Sequence, residues 1–224
     1  MQLRLEIQGL RALAVSIVIL FHAGFGWAQG GYVGVDVFFV ISGFLITFSL
    51  LKKKENRNLG EFYIRRIRRL FPALLATVIV TFIASYIIMT KTDFSLMAKS
   101  SLYAIVSLSN VGFWMESGYW DTTSHLKPLL HTWSLSVEEQ FYLIWPALMI
   151  VLLKGGKKFV FAFMVALVIG GMFAAQYFTP TMPSAVFYLT PFRAYQFAIG
   201  GAYAAYLVMS DKTHILGGGK CPMR

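Results

Sequence analysis

Arg11 and His22 are the residues of this chain best suited to chemistry, because they lie in an otherwise uncharged apolar run from about Leu10 to Trp27. Eleven residues turn an α-helix by roughly 1100° and advance it by about 16 Å, so the two side chains share one face. A neutral imidazole can take a proton from a hydroxyl group. Both groups are costly against lipid, so this face is predicted to look into a polar interior of the protein.

Carboxylates that could orient this imidazole occur in two other apolar segments. Asp36 stands near the start of the second segment, and Glu138 and Glu139 enter a helix predicted to begin near Ser134 or Ser136. A carboxylate bonded to one imidazole nitrogen selects the tautomer and raises the basicity of the other nitrogen. This combination indicates a general base acting on a hydroxyl group.

The same residues also allow simpler interpretations. His22 and Asp36 can form a buried polar pair that only holds two helices together. Ser136 and Glu139 have the spacing of a capping box, which explains one of the two neighbouring glutamates but not the other. A metal site built from His22, His131 and the carboxylates is a further alternative, and we predict that no metal is bound.

A cluster of arginines follows the second apolar run and contains Arg65, Arg66, Arg68 and Arg69. In the simplest case these are topogenic charges that contact anionic headgroups. A guanidinium also matches phosphate oxygens in a bidentate pair, so the cluster can instead bind a phosphorylated ligand, with Arg11 joining it. Pro72 is predicted to lie in the first turn of the third span, about Phe71 to Met89.

Composition decides which elements must position these residues. Of the 224 residues, 57% are hydrophobic and 13% charged, which excludes an ordinary soluble domain. The 20 Lys and Arg against 10 Asp and Glu cluster in short loops between apolar spans, so membrane topology explains them better than nucleic acid does. The one cysteine, Cys221, excludes an internal disulfide and a cysteine-based metal cluster.

The predicted fold is an all-α, polytopic transmembrane helical bundle of about six to seven spans, in a membrane domain of residues 1–209 followed by a polar tail of residues 210–224. The six spans are about 10–27, 31–51, 71–89, 134–153, 159–175 and 192–209. Ala98 to Trp114 is less apolar, and we favour a non-spanning helix there over a seventh span. The basic stretch from Lys52 to Arg69 predicts a cytoplasmic N-terminus.

Four motifs together resemble those of the acyltransferase 3 family. They are Arg11 and His22 with ten residues between them, the run Gly34-Val-Asp-Val-Phe-Phe-Val-Ile-Ser-Gly-Phe-Leu-Ile46 that contains Ser42, an Arg-x-x-Arg pair before Pro72, and His131-Thr-Trp-Ser-Leu-Ser-Val-Glu-Glu-Gln-Phe-Tyr-Leu-Ile-Trp-Pro146. Members of this family are membrane O-acyltransferases that modify exported glycans. The resemblance covers the chain to about Ala205.

The resemblance implies that His22 is the essential histidine and Arg11 its partner. Either Arg65 with Arg68 or Arg66 with Arg69 fills the Arg-x-x-Arg motif, and the spacing to Pro72 favours the second pair. Other residues that fall in family motifs are Asp36, Ser42, His131, Glu138, Glu139 and Arg193. Members often have glutamate where Gln196 stands, so a role for that carboxylate is not transferred to this chain.

The function implied is transfer of an acyl group, with acetyl favoured, from cytoplasmic acyl-CoA to a hydroxyl of an extracytoplasmic or lipid-linked glycan. Acetyl-CoA would be a donor substrate rather than a resident cofactor, membrane lipids would surround the protein, and no nucleic acid is expected. We expect a multi-pass protein of the cytoplasmic membrane. Members usually have more spans than this chain, which therefore looks like an N-terminal portion. A proton-coupled transporter and an inactive fragment are the alternatives.

Overall fold

The computed structural model of this chain describes residues 5–52, 59–117 and 127–210. These residues form α-helices and connecting turns, with no β-strand among them. The α-helices are α1 (Leu5–His22), α2 (Val33–Lys52), α3 (Leu59–Ile88), α4 (Lys91–Ile105), α5 (Ser109–Glu116), α6 (Thr132–Leu152), α7 (Gly156–Phe178), α8 (Pro183–Tyr188) and α9 (Thr190–Met209). Short 3-10 helices, Gly26–Tyr32 and Leu153–Gly155, precede α2 and α7. The predicted polar tail lies, beyond Ser210, outside the described residues.

Three helical segments are long and apolar enough to cross a membrane, namely Gly26–Lys52, Gly60–Ile88 and Thr132–Phe178, the last of which contains both α6 and α7. Helix α3 leaves Ile83, Ile87 and Ile88 between 57% and 81% exposed. Apolar side chains on such a face can contact lipid tails without an energetic penalty, because the tails are equally apolar. The predicted helical class is confirmed, whereas the count of six to seven spans and the cytoplasmic N-terminus stay predictions.

The ambiguous segment around residues 98–114 forms two helices with a break between them. Helix α4 has 15 residues and α5 has 8, so their lengths are about 22 Å and 12 Å. Neither reaches across a hydrocarbon core of about 30 Å. Ser107, in the break, has a positive φ of 59°, which a non-glycine residue adopts only at some cost. The segment therefore agrees with the interpretation that it does not span.

One local prediction is wrong, and one alternative interpretation is not supported. Helix α3 begins at Leu59, so Pro72 lies inside the helix instead of in its first turn. A membrane helix tolerates an internal proline because neighbouring groups can satisfy the freed backbone carbonyl. Helix α6 begins at Thr132, so Ser136 lies inside it and does not cap it.

The described residues pack as two compact units, and α6, α7 and α9 contribute to both. The first unit comprises residues 5–52, 146–170 and 194–210. In it, α1 meets α2 where a methyl group added to Gly34 would lie 2.6 Å from the carbonyl oxygen of Ala14. Helix α2 meets α9 where a methyl group on Gly43 would overlap the carbonyl oxygen of Phe197. Gly34 and Gly43 therefore lie where two helix backbones approach closely.

The second unit comprises residues 59–117, 127–145 and 171–193. Its apolar core joins α3, α4 and the turn before α6 through buried Leu74, Val78, Met97, Ala104 and Leu129. This core holds the α4–α5 segment against α3 and so positions the break at Ser107.

Candidate active site

In the first unit, His22 is the last residue of α1, and its imidazole is exposed. Its Nδ1 atom lies 2.8 Å from the carbonyl oxygen of Val18, one turn earlier. A carbonyl oxygen only accepts hydrogen bonds, so Nδ1 must carry the proton and donate it. In the neutral ring this leaves the lone pair on Nε2, which is the form a general base or a nucleophile requires.

Arg11 lies on the same side of α1 as His22. Its guanidinium is half-buried and lies 5.7 Å from the centre of the Phe38 ring on α2. Ala14 and Val18, between Arg11 and His22, also contact α2. Arg11 therefore lies on the side of α1 that faces α2. His22 lies on the same side, one turn after Val18.

Asp36 on α2 accepts a hydrogen bond of 2.9 Å from the Nε2 atom of Gln196 on α9. The imidazole of His22 bonds to Val18 instead, so the two side chains have different partners in the described residues. Gln196 is only 4% exposed, and its Oε1 atom has no hydrogen-bond partner there. Gln196 thus supplies Asp36 with a neutral donor from α9. The orienting role of Asp36, like a role for the buried Ser42, stays a prediction.

In the second unit, α3, the α4–α5 break and α6 surround an open pocket of about 460 Å³. Its walls are mainly apolar and include Leu70 and Leu108. The charged groups that line it are Arg66 and Glu139. Mainly apolar walls with a few polar groups are typical of pockets that bind small molecules.

The four clustered arginines differ in their position relative to the pocket. Arg65 pairs with Glu61 at 3.1 Å on the exposed side of α3, and Arg68 and Arg69 are exposed. The half-buried Arg66 turns toward the pocket, where its guanidinium makes no hydrogen bond or ion pair with another described residue. Arg66 of the favoured Arg66 and Arg69 pair therefore lines the pocket, and a role in ligand binding stays a prediction.

The two glutamates of α6 have different partners. Glu138 accepts a hydrogen bond from the hydroxyl of Tyr142, one turn later on the same helix. Glu139 accepts one from the hydroxyl of Ser107 in the α4–α5 break. Consecutive helical residues point about 100° apart, so Glu138 and Glu139 have different neighbours although they are adjacent in the chain. Their predicted catalytic roles stay predictions.

A polar network that sequence reasoning missed holds the α4–α5 break against α6. The amide of Gln140 donates to the carbonyl of Ser107 at 2.9 Å and to the side chain of Asn110 at 2.8 Å. The backbone N–H of Ser109 donates to the hydroxyl of Ser136 at 3.1 Å, so this serine satisfies the first turn of α5. The sequence feature that could have indicated this network is the set of polar residues scattered through an otherwise apolar segment.

The remaining predicted residues lie at the ends of helices. His131 is exposed just before α6. Arg193, near the start of α9, donates from Nε to the carbonyl of Phe187 at 2.9 Å and lies over the rings of Phe187 and Trp133, at 5.0 Å and 5.5 Å. It therefore anchors α9 to an aromatic cluster. Within the described ranges, no group of three or more His, Cys, Asp and Glu side chains could hold a metal ion.

Comparison with known proteins extends these observations. The peptidoglycan O-acetyltransferase OatA of Listeria monocytogenes is 41% identical over 212 residues, which cover 89% of this chain and 33% of that protein. YrhL of Bacillus subtilis, to which peptidoglycan O-acetylation is provisionally assigned by name, is 34% identical over 206 residues, or 88% of this chain and 32% of that protein. This chain thus spans about a third of the length of these relatives. No solved structure matches it significantly.

The family match covers nearly the whole chain. Residues 4–219 match the acyltransferase domain family Acyl_transf_3, a range that includes both the His22 region and the pocket beside Arg66. The chain belongs to the acyltransferase 3 family.

Proposed function

We propose that this chain transfers an acetyl group from cytoplasmic acetyl-CoA to a hydroxyl group of an extracytoplasmic glycan, with peptidoglycan as the first candidate acceptor. The observation that carries the proposal is the exposed His22 side chain, whose Nδ1–H donates to the carbonyl of Val18, so that Nε2 carries the lone pair in the neutral ring. The name of the Listeria relative supports acetyl as the group and peptidoglycan as the acceptor.

In the direct mechanism, Nε2 of His22 takes the proton of the acceptor hydroxyl as its oxygen attacks the thioester carbonyl. The carbon–sulfur bond then breaks, the acetyl ester forms, and the proton passes from the imidazolium to the departing thiolate. In the covalent alternative, Nε2 attacks the thioester carbonyl, the carbon–sulfur bond breaks, and CoA leaves as its thiolate from an acetyl-imidazolium that keeps its Nδ1–H. The acceptor hydroxyl then attacks the acetyl carbonyl, the bond to Nε2 breaks, and the hydroxyl proton passes to the CoA thiolate. Both routes need the tautomer that the bond to Val18 selects.

Arginines would hold the donor through its phosphate groups. Arg66 is the first candidate, because its N–H groups have no partner among the described residues and it lines an apolar pocket. Arg69 and Arg11 would add positive charge. The basic run before the third span favours a cytoplasmic position for these residues, where CoA is found.

The test measures transfer of labelled acetyl from acetyl-CoA to glycan in membranes that contain this chain, beside membranes with the His22→Ala variant. We expect label with the intact histidine and none with the variant at equal membrane insertion. Gln29→Ala, which removes another exposed polar side chain of the same unit, should transfer normally. Transfer by His22→Ala at the normal rate would refute the assignment.

A second measurement separates the two mechanisms. Rapid quenching followed by mass spectrometry would reveal an acetyl group on the peptide that contains His22 if the covalent route operates. A ternary-complex kinetic pattern with no trapped acetyl-histidine would exclude that route and support direct transfer.

A further inference from the structure

Arg66 is held by aromatic rings and not by a carboxylate. Its guanidinium carbon lies 4.3 Å from the centre of the Tyr142 ring on α6 and 5.5 Å from the centre of the Phe62 ring on α3. Tyr142 is only 6% exposed, and its hydroxyl donates to Glu138. The nearer ring is therefore buried and fixed at both ends, by its backbone on α6 and by its hydroxyl.

This arrangement leaves the binding edge of Arg66 free. A guanidinium stacks on an aromatic ring through its flat face, whereas it binds phosphate oxygens through the N–H groups at its edge. An ion pair with a carboxylate would occupy that edge, as Glu61 does for Arg65. A ring contact holds the cation and keeps its donors available.

Holding Arg66 in advance also favours ligand binding. A long arginine side chain samples many rotamers, and part of that freedom is lost when a ligand immobilises it. A ring that restricts the free side chain removes part of that cost before the ligand arrives.

We propose that Tyr142 is a positioning residue that holds Arg66 at the pocket for a phosphate group of the acyl donor. The proposal rests on the proposed function, because it takes acyl-CoA as the donor. Tyr142 acts through Arg66 and takes no part in the chemical step. It should therefore influence the affinity for the donor and not the rate of transfer from bound donor.

The test measures the Kd of CoA for the full chain in detergent, by calorimetry, together with KM and kcat for acetyl transfer in membranes. Tyr142→Leu should raise Kd and KM about five- to thirtyfold, the range of a cation–π contact from half-exposed to desolvated, with kcat little changed. Tyr142→Phe keeps the ring and should bind nearly as the wild type does. Tyr86→Leu is the control, since this ring on α3 is 75% exposed and contacts Phe94.

A double-mutant cycle distinguishes positioning from general damage to the fold. If Tyr142 acts through Arg66, adding Tyr142→Leu to Arg66→Ala should raise Kd no further. An equal rise in both backgrounds, or a Tyr142→Phe variant as weak as Tyr142→Leu, would overturn the proposal. Wild-type protein that binds no CoA would overturn the proposed donor as well, whereas normal CoA binding by Tyr142→Leu would overturn only the role of Tyr142.

Discussion

A methyl group added at Gly43 is the sharpest test of how α2 and α9 position Asp36. The methyl carbon would overlap the carbonyl oxygen of Phe197 and lie 2.7 Å from the Cα and carbonyl carbons of the same residue. Non-bonded carbon atoms approach to about 3.5–4.0 Å, so the helices must separate by roughly 1 Å. Because the obstructing atoms are backbone, no side-chain rotation can relieve the overlap.

The separation has two consequences. Overpacking of this kind costs about 1–3 kcal/mol, which for a chain of this length lowers Tm by roughly 2–12 °C. The hydrogen bond from Gln196 to Asp36, now 2.9 Å, would lengthen by a similar 1 Å and be lost. We therefore expect Gly43→Ala to lower both thermal stability and acetyl transfer.

The assay is thermal unfolding in detergent, with acetyl transfer measured in parallel. Gly170→Ala is the matched control, because Gly170 lies inside α7 in the same unit and an added methyl group there meets no atom within 4 Å. That variant should be unchanged or more stable by about 0.5–1 kcal/mol, as alanine favours helix. If Gly43→Ala melts at or above the temperature of Gly170→Ala, the close contact between α2 and α9 is wrong.

Two further predictions concern the α4–α5 break. Asn110→Ala removes a fully buried side chain that donates to the carbonyl of Tyr188 at 3.2 Å and pairs with Gln140. The free energy of unfolding should therefore fall by about 1–3 kcal/mol. An unchanged denaturation midpoint would contradict the network. Ser107→Gly should be more stable than Ser107→Ala by about 1–2 kcal/mol, because both lose the bond to Glu139 but only glycine adopts a φ of 59° without strain. The usual order, with alanine more stable, would refute this account of the break, and thermal unfolding of the two variants decides it.

Much of the architecture could be predicted from the sequence, because it depends on residues that are neighbours along the chain. Hydropathy over a span and the 100° step between helical residues are local properties. They were enough for the helical class and for Arg11 and His22 on one side of α1. They could not show that Gly34 and Gly43 lie against the backbones of Ala14 and Phe197, because those residues come from other helices.

The two local interpretations that failed depended on residues outside the local pattern. Ser136 has the spacing of a helix cap with Glu139, yet its hydroxyl accepts from the backbone of Ser109 and Glu139 accepts from Ser107. Pro72 suits a first helical turn, yet α3 begins at Leu59. In both cases the residues do have the spacing of the motif. Contacts with other helices, or extension of the helix beyond the motif, determined where the helix begins and what each side chain bonds to.

The sequence alone placed a cluster of arginines beside a predicted membrane span, and the chemistry of guanidinium groups made phosphate binding a reasonable role. Only the tertiary structure distinguished Arg66 from its neighbours. Arg65, Arg68 and Arg69 have nearly the same local surroundings in the sequence, but only Arg66 lies over the ring of Tyr142 at 4.3 Å. That choice depends on how α3 packs against α6, a contact between residues far apart in the chain that no property of the arginine run encodes.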